Sequence, residues 1–505
     1  MKKIKIIFIC IVLLSSNSVC RAITFIDSLQ HGKYSVGFKF ENRFDYSRSF
    51  GIPYSGKNES DFRPVDIFTW YPSEDKFTRR MTFLDYLKYS GIKTNTDEKL
   101  NSLINPVPII QVIKEESLNT TLNFKTHASI NVKPAEGSFP LIIFGQGLYF
   151  ENPAAHFALC ELLASHGFVV ISTSLRGTNS EVVQLTLSDL ESAIRDLEFL
   201  ISYAMSIPQV DQSKIGLIGF DMGGMAVQIL QMRNINIDAV LTLDAGIIFE
   251  HFSGLPKSSP SFEIEKLTVP WMLITQAQFI NPYRQYLNQS LWELAKYSDR
   301  YFVLLDKIEH VNFTSYSLFN IGKGLTNYWA PGALPDPHAY RDICDYSLNF
   351  FNATLLNDYD ALEFIKKEIP YSNDLQKSIT VEIKHRIESP PTVDYLLQST
   401  NGNNLHCMID RAKKYAEQNP DWKKLDENQL NFLGYRFITA GDYNSAKDIF
   451  ELNVFLYPES FNVYDSMGEI CMLLERKSEA IKYYEKSLEL NPENTNAVEM
   501  LKQLK

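Results

Sequence analysis

The sequence predicts an α/β protein, in which helices cover both faces of a mostly parallel sheet, followed by a small all-α region. Three observations lead to this prediction. From Pro140 onward, short apolar runs alternate with helical patterns, which is typical of a parallel sheet covered on both faces. One strand–helix unit contains a sharp turn flanked by glycines. The C-terminal part of the chain repeats itself with a fixed period.

Length and charge limit the function classes. A chain of 505 residues is expected to hold more than one domain, because single hydrophobic cores usually stop growing at about 250–300 residues. The formal net charge is −11, which disfavours nucleic acid and anionic membranes as partners.

The N-terminus has the three parts of a secretory signal peptide. Three lysines within the first five residues precede an apolar run over 6–14 and a short polar stretch that ends at Ala22. The run is too short to span a bilayer as a mature helix, so residues 1–22 are predicted to be cleaved. The sequence before Cys20 lacks the usual lipid-attachment pattern, which makes a lipoprotein the less favoured alternative. We therefore expect an exported protein, periplasmic or secreted, without a stable membrane span.

The elements follow in chain order. Before residue 140, strands are predicted at 34–40, 65–72 and 126–132, and the polar, partly helical stretch 78–118 is expected to be a surface insertion. Further strands are predicted at 141–144, 168–173, 215–218, 237–243, 271–275 and 301–305. Helices are predicted at 154–166, 187–205, 222–233 and 340–355.

Residues 214–230 resemble a nucleophile elbow, the strand–turn–helix unit of the α/β-hydrolase fold. The turn reads Gly-Phe-Asp-Met-Gly-Gly over 219–224. Gly219 and Gly223 lack the Cβ atoms that would collide within so tight a turn. The exposed central residue is Asp221, where hydrolases of this architecture usually carry serine.

Two further groups complete a catalytic set in the expected chain order of nucleophile, acid and histidine. Asp244 follows the strand after the elbow, and His310 follows the last parallel strand. Catalytic groups collect at the ends of parallel strands, so we expect Asp221, Asp244 and His310 to meet.

Oxyanion stabilisation is expected from two backbone N–H groups. One belongs to Met222, which follows the elbow residue, and the other is expected from Leu148 in the loop after strand 141–144. The pocket candidates lie in the same loop and are Gln146, Tyr149 and Phe150. His156 and His166 are interpreted as capping or surface residues.

The region from about 30 to 356 resembles the α/β-hydrolases of the platelet-activating factor acetylhydrolase and dienelactone-hydrolase type. The similar segments are 140–148, 163–168, 214–224, 243–245 and 310–316. The resemblance implies an esterase that acts on short acyl groups, with Asp244 as the acid and His310 as the base.

Two positions depart from the family pattern. The elbow serine is Asp221, and the oxyanion-loop histidine is Gln146. With an aspartate at this position, the elbow also resembles that of haloalkane dehalogenases and epoxide hydrolases, in which the aspartate attacks carbon directly. Those enzymes also have a helical cap domain, and no comparable cap is identified here.

Three interpretations therefore stay open. The first is an active hydrolase with Asp221 as nucleophile, acting on an ester or on an alkyl carbon. The second is a retired hydrolase that binds a ligand or a protein, because two carboxylates beside His310 favour imidazolium. The third is an active hydrolase in which Asp221 orients water.

The C-terminal region carries a 34-residue period, which is the tetratricopeptide period. Four positions recur in register, namely Gly434, Ala446, Phe450 and Pro458 as Gly468, Ala480, Tyr484 and Pro492. We predict a linker over 357–404 and a helical region over 405–505, with repeats at about 427–460 and 461–494. The repeats make a protein partner possible in addition to a small ester substrate.

The remaining cysteines outside the signal segment are Cys160, Cys344, Cys407 and Cys471. Each lies in a helical apolar pattern, so buried thiols are expected. The sequence contains no phosphate-binding glycine loop and no metal-spaced His or Cys cluster, and it implies no metal or organic cofactor.

Overall fold

The computed structural model describes residues 29–51, 61–76, 79–89, 115–147, 152–180, 182–245, 250–280, 290–306, 308–319, 337–369, 378–393, 396, 405–420, 422 and 425–505. The expected signal peptide lies outside the described residues. The chain divides into two compact units, of which the first ends at Ile387 and the second begins at Glu388.

An 11-stranded sheet forms the centre of the first unit, in the order β11-β10-β9-β8-β7-β5-β6-β2-β1-β4-β3. Strands β5 to β10 run parallel to one another, whereas β2 is antiparallel to both β1 and β6. The strands are β1 (Ser35–Ser49), β2 (Phe62–Ser73), β3 (Arg80–Thr82), β4 (Lys125–Ile130), β5 (Phe139–Gly145), β6 (Val169–Thr173), β7 (Val210–Phe220), β8 (Ala239–Leu243), β9 (Trp271–Gln276), β10 (Arg300–Leu305) and β11 (Ile379–Lys384).

The first unit has ten helices among the described residues. They are α1 (Phe83–Tyr89), α2 (Glu115–Leu122), α3 (Phe157–Ser165), α4 (Leu187–Ala204), α5 (Met222–Arg233), α6 (Glu250–Lys257), α7 (Ala277–Ile280), α8 (Leu291–Leu294), α9 (Pro337–Leu355) and α10 (Tyr359–Phe364), with 3₁₀ turns at 153–156, 264–266, 310–313 and 315–318. Helices α3 to α8 connect the parallel strands.

Two hydrophobic clusters lie on the two faces of the sheet. In β5, Ile142 and Phe144 belong to one cluster, and Leu141 and Ile143 belong to the other. This division follows from the strand period of two, which sends successive side chains to opposite faces. The near-continuous apolar runs of the sequence are therefore strands buried on both faces, and the predicted fold class is confirmed.

Two segments differ from their expected roles. Residues 80–89 do not form a surface insertion, because Phe83 and Tyr86 are fully buried in the core. Part of the expected linker 357–404 belongs to the first unit, since it contains α10 and β11. Strand β11 pairs antiparallel with β10 over six residue pairs, from Arg300↔Lys384 to Leu305↔Ile379. Sequence reasoning missed β11 because polar residues alternate with apolar residues along it. This pattern is expected of an edge strand, which is less buried than a central one.

The second unit is a set of helices. They are α11 (Leu405–Gln418), α12 (Glu427–Thr439), α13 (Tyr443–Leu456), α14 (Phe461–Leu473), α15 (Lys477–Leu490) and α16 (Thr495–Leu504). The glycine of each predicted repeat contacts an aromatic ring of the paired helix. A Cβ on Gly434 would lie 2.3 Å from the Phe450 ring, and one on Gly468 would lie 2.7 Å from the Tyr484 ring. Close helix packing is therefore the reason for glycine at these positions.

The cysteines outside the signal segment are all free thiols. Cys160, Cys344 and Cys471 are buried as expected, but Cys407 is exposed, so the prediction of burial is wrong at that position. Among the helices of the described residues, none combines the length and the apolar composition that crossing a bilayer requires.

Replacing Gly434 with alanine should destabilise the second unit by about 1–3 kcal/mol, because the new methyl group would overlap the Phe450 ring. The matched control is Gly254→Ala in α6, where a Cβ would meet nothing within 4 Å. That control should be neutral or stabilising by up to about 1 kcal/mol. Denaturant unfolding of the two variants measures both effects, and equal midpoints would contradict the packing argument.

A half-buried histidine makes the first unit sensitive to acid. The rings of His127 in β4 and His31 are stacked with centroids 3.7 Å apart. Burial, followed by the charges of His31 and Arg80, lowers the pKa of His127 to about 3. Folded His127 is therefore neutral across a pH range in which the unfolded residue, with a pKa near 6.5, takes up a proton.

The contribution of His127 to stability is thus complete above pH 6.5 and declines as the pH falls towards about 3. Between pH 7.5 and pH 5, wild type should lose about 1–2 kcal/mol more unfolding free energy than His127→Gln. Urea unfolding at a series of pH values measures the unfolding free energy of each protein. If the values for wild type and His127→Gln changed equally with pH, this role of His127 would be excluded.

Candidate active site

The elbow has the geometry that its glycines predict. Asp221 lies between β7 and α5 with φ 50° and ψ −119°, in a region that non-glycine residues rarely occupy. A Cβ on Gly219 would lie 2.4 Å from the carbonyl oxygen of Gly223, and one on Gly223 would lie 2.3 Å from that of Gly145. The turn can therefore form only where both positions lack a side chain.

The Asp221 carboxylate does not cap the helix that it precedes. Aspartate is among the favoured N-cap residues, yet its side chain makes no cap hydrogen bond to α5. The backbone is held instead, since Asp221 N–H donates to Leu243 O at 3.1 Å and Gly224 N–H donates to Asp221 O at 3.0 Å. The carboxylate is partly exposed at a helix N-terminus, which favours negative charge.

Asp244 is a buried carboxylate held by three donors. It follows β8 with φ 44°. Thr275 Oγ1 donates to its Oδ1 at 2.6 Å, and Gln276 Nε2 and His310 Nδ1 each lie 2.6 Å from its Oδ2. Burial alone would raise the pKa of Asp244, but the bond and charge of His310 and the bonds from Thr275 and Gln276 outweigh burial and lower it. Asp244 is therefore ionised at neutral pH, despite its burial.

His310 is positioned by the turn 310–313. Asn312 braces this turn, because its buried side chain accepts a hydrogen bond from Glu309 N–H at 2.7 Å. The imidazole ring stacks on Phe220 with centroids 4.5 Å apart and an interplanar angle of 22°. Its side chain is 43% exposed, whereas that of Asp244 is 8% exposed. Nδ1 is paired with Asp244, so proton exchange between this ring and a ligand would have to use Nε2.

A row of aromatic rings supports this histidine. Phe144 and Phe220 lie on either side of His156, with ring centroids 4.6 and 5.0 Å from it. His156 is fully buried, and although it stands at the N-cap position of α3 its side chain makes no cap hydrogen bond, so its interpretation as a capping or surface side chain is wrong. It lies on a 3₁₀ turn that enters the core. His166 is half-buried at the C-cap position of α3 and contacts Gln30 O at 2.8 Å through Nε2.

The oxyanion loop is described only at its start. Gly145 ends β5, and the Gln146 side chain is fully buried, with Nε2 donating to Ser172 Oγ at 2.8 Å. The Gln146 amide is thus bonded to β6. Met222 is the first residue of α5. Leu148, Tyr149 and Phe150 lie outside the described residues.

Asp244 and His310 are in direct contact. Asp221 follows Phe220 in the chain, and His310 stacks on the Phe220 ring. Sequence reasoning missed Thr275, Gln276 and Phe220. The first two end β9, the strand beside β8, so the rule about strand ends could have indicated them. In the part of the chain that is described, no three His, Cys, Asp or Glu side chains group as metal ligands.

Comparison with known proteins gives three results. Residues 461–494 match the tetratricopeptide repeat family. No curated protein sequence matches the chain. Among solved structures, a ferulic acid esterase from Streptomyces cinnamoneus is similar at 18% sequence identity and a TM-score of 0.49, with 70% of this chain and 98% of that chain covered. The second unit therefore contains a tetratricopeptide repeat, and the α/β-hydrolase fold of the first unit rests on its strand order and its elbow.

Replacing Thr275 with valine should destabilise the first unit by about 1–3 kcal/mol, because the buried Asp244 carboxylate would lose a donor without becoming solvated. Thr173→Val is the matched control. Thr173 is also a buried strand threonine, but within the described residues its hydroxyl has no hydrogen-bond partner. The control should be neutral or stabilising. Urea unfolding at pH 7 measures both, and equal losses would mean that Asp244 does not need the bond.

Proposed function

We propose that the chain is an exported hydrolase of small esters, in which Asp221 is the nucleophile and the Asp244–His310 pair transfers protons. The hydrogen bond between Asp244 and His310 is the observation that carries this proposal. A buried carboxylate that holds a half-exposed imidazole by one nitrogen leaves the other nitrogen oriented for proton transfer.

The first step forms a bond between an Asp221 oxygen and the acyl carbon of the ester. An aspartate nucleophile, unlike a serine hydroxyl, needs no base to deprotonate it, so His310 has a different task from that in a serine enzyme. Neighbouring carboxylates favour imidazolium, which donates its Nε2 proton to the departing alkoxide as the ester C–O bond breaks. The acyl oxygen gains negative charge and faces the Met222 N–H. The products of this step are an alcohol, an acyl–Asp221 anhydride and neutral His310.

The second step regenerates Asp221. Neutral His310 takes a proton from water, whose oxygen attacks the Asp221 Cγ atom. The bond from Cγ to the bridging oxygen breaks, and the acyl group leaves as a carboxylate that carries an original Asp221 oxygen. One proton passes to solvent, and imidazolium is restored. In this mechanism, His310 starts each cycle as imidazolium, the form that would disable a serine hydrolase.

Two further observations support the proposal. Asp221 does not cap α5, so helix capping does not account for an aspartate at this bend. Resemblance to the platelet-activating factor acetylhydrolase type favours short acyl groups as substrates. The tetratricopeptide repeats are proposed to bind a protein partner, because stacked helix pairs present an extended surface.

The decisive experiment is a single turnover of p-nitrophenyl acetate in heavy-oxygen water with enzyme in excess. Because water attacks Cγ, Asp221 should acquire one heavy oxygen, detectable by mass spectrometry of its peptide. Asp221→Ala and His310→Gln should each lower turnover by about 10³-fold or more. His385→Gln, at a histidine whose side chain is 79% exposed, should have wild-type activity.

Two outcomes would contradict the proposal. Turnover without label in Asp221 would exclude attack of water on the Asp221 Cγ atom and therefore the second step proposed above. An inert wild type together with an active Asp221→Ser variant would identify a retired hydrolase that binds its ligand without turnover.

A further inference from the structure

A cavity of about 480 Å³ lies at the opposite end of the parallel strands from the elbow. Its wall includes Phe139 at the start of β5 and Gln209 just before β7, whereas Asp221 follows the end of β7. The volume falls within the range of about 300–1,000 Å³ that is typical of small-molecule sites. The candidate active site does not account for this cavity.

The charged part of the cavity comes from one face of β1. Lys39, Glu41 and Arg43 are two residues apart and therefore share a face, while Phe38 and Phe40 point to the core on the other. The remaining wall is mostly uncharged and includes proline, valine, isoleucine and aromatic residues. The site thus combines an apolar body with a charged end.

A glycine leaves the space for an aromatic wall. Gly37 in β1 pairs with Tyr71 in β2, and a Cβ on Gly37 would lie 2.1 Å from the Tyr71 ring. The Tyr71 ring therefore lies across β1 at Gly37, and the side chain of any other residue at position 37 would displace it. The Tyr71 hydroxyl donates to Val132 O at 2.7 Å, which fixes the ring in this position.

Glu41 organises the two cations. It lies 2.8 Å from Lys39 Nζ and 2.6 Å from Arg43 Nη2, and it accepts a hydrogen bond from the Tyr203 hydroxyl. Burial alone would raise the pKa of Glu41, but the bonds from Lys39 and Tyr203 and the two positive charges lower it. Among the residues that line the cavity, two cations and one carboxylate leave one net positive charge.

The cations remain accessible. The side chains of Lys39 and Arg43 are 49% and 53% exposed, although both touch Glu41. A guanidinium has five N–H donors in a fixed fork, which suits a carboxylate. An anion at this end would balance the excess charge, and an apolar body would cover the aromatic and aliphatic walls.

We infer that this cavity binds a small organic carboxylate with an apolar body, with the carboxylate at Lys39 and Arg43 and the body against Tyr71 and Phe139. The inference is independent of the chemistry at Asp221, because the two sites lie at opposite ends of the strands.

Calorimetric titration of the full chain with 4-phenylbutyrate tests this inference. Saturable binding with a Kd below about 1 mM is expected. The double variant Lys39→Gln/Arg43→Gln should weaken it at least tenfold. Lys88→Gln is the matched control, because the Lys88 side chain is also 49% exposed and also pairs with a carboxylate. This control should bind as wild type does.

Two further arms separate the cavity from other sites. Ser206→Trp places a bulky side chain at the mouth without removing a charge, and it should abolish binding while leaving ester hydrolysis unchanged. The uncharged 4-phenylbutanol should bind at least tenfold more weakly than the acid. The inference is overturned if wild type shows no saturation up to about 10 mM. Equal affinity of the double variant, of Ser206→Trp or of the alcohol overturns it as well.

Discussion

The bend between β7 and α5 can form only because two of its residues lack a Cβ atom. At Gly219 and Gly223 the backbone approaches other backbone so closely that no side chain would fit. As a result, Asp221 has a positive φ angle and lies at the end of a central parallel strand. A hydrogen bond from its N–H group to Leu243 O holds it there. The position of the site relative to the sheet follows from this constraint, because the neighbouring strands β5 and β8 bring Gln146 and Asp244 to the same edge.

Burial and charge are balanced differently in the two aspartates. Asp244 is almost fully enclosed and would be costly as an ion, yet three donors from β9 and the histidine turn keep it charged. Asp221 is partly exposed and makes no cap bond to its helix. The first carboxylate is therefore suited to orient an imidazole, and the second is suited to react. This difference favours the assignment of acid and nucleophile that we propose.

Close approach to glycine recurs elsewhere in the chain. In the second unit, Gly434 and Gly468 admit the rings of Phe450 and Tyr484 between paired helices. In the first unit, Gly37 admits the Tyr71 ring and helps to form the cavity for which we infer a carboxylate ligand. In each case an aromatic ring occupies the volume that a side chain would have taken. Close approach to a residue without a side chain therefore occurs at the elbow, between paired helices and beside the cavity.

The sequence by itself determined the alternation of strands and helices, the elbow, the 34-residue period and the chain order of Asp221, Asp244 and His310. These features are local or periodic, so they can be recognised without knowing which segments meet. Only the tertiary structure decided that Thr275 and Gln276 hold Asp244, that Phe220 supports His310 and that His156 is buried. It also placed β11 at the sheet edge and Phe83 in the core. The physical reason is that these contacts join residues far apart in the chain, and a side chain's burial depends on the neighbours that the fold brings to it.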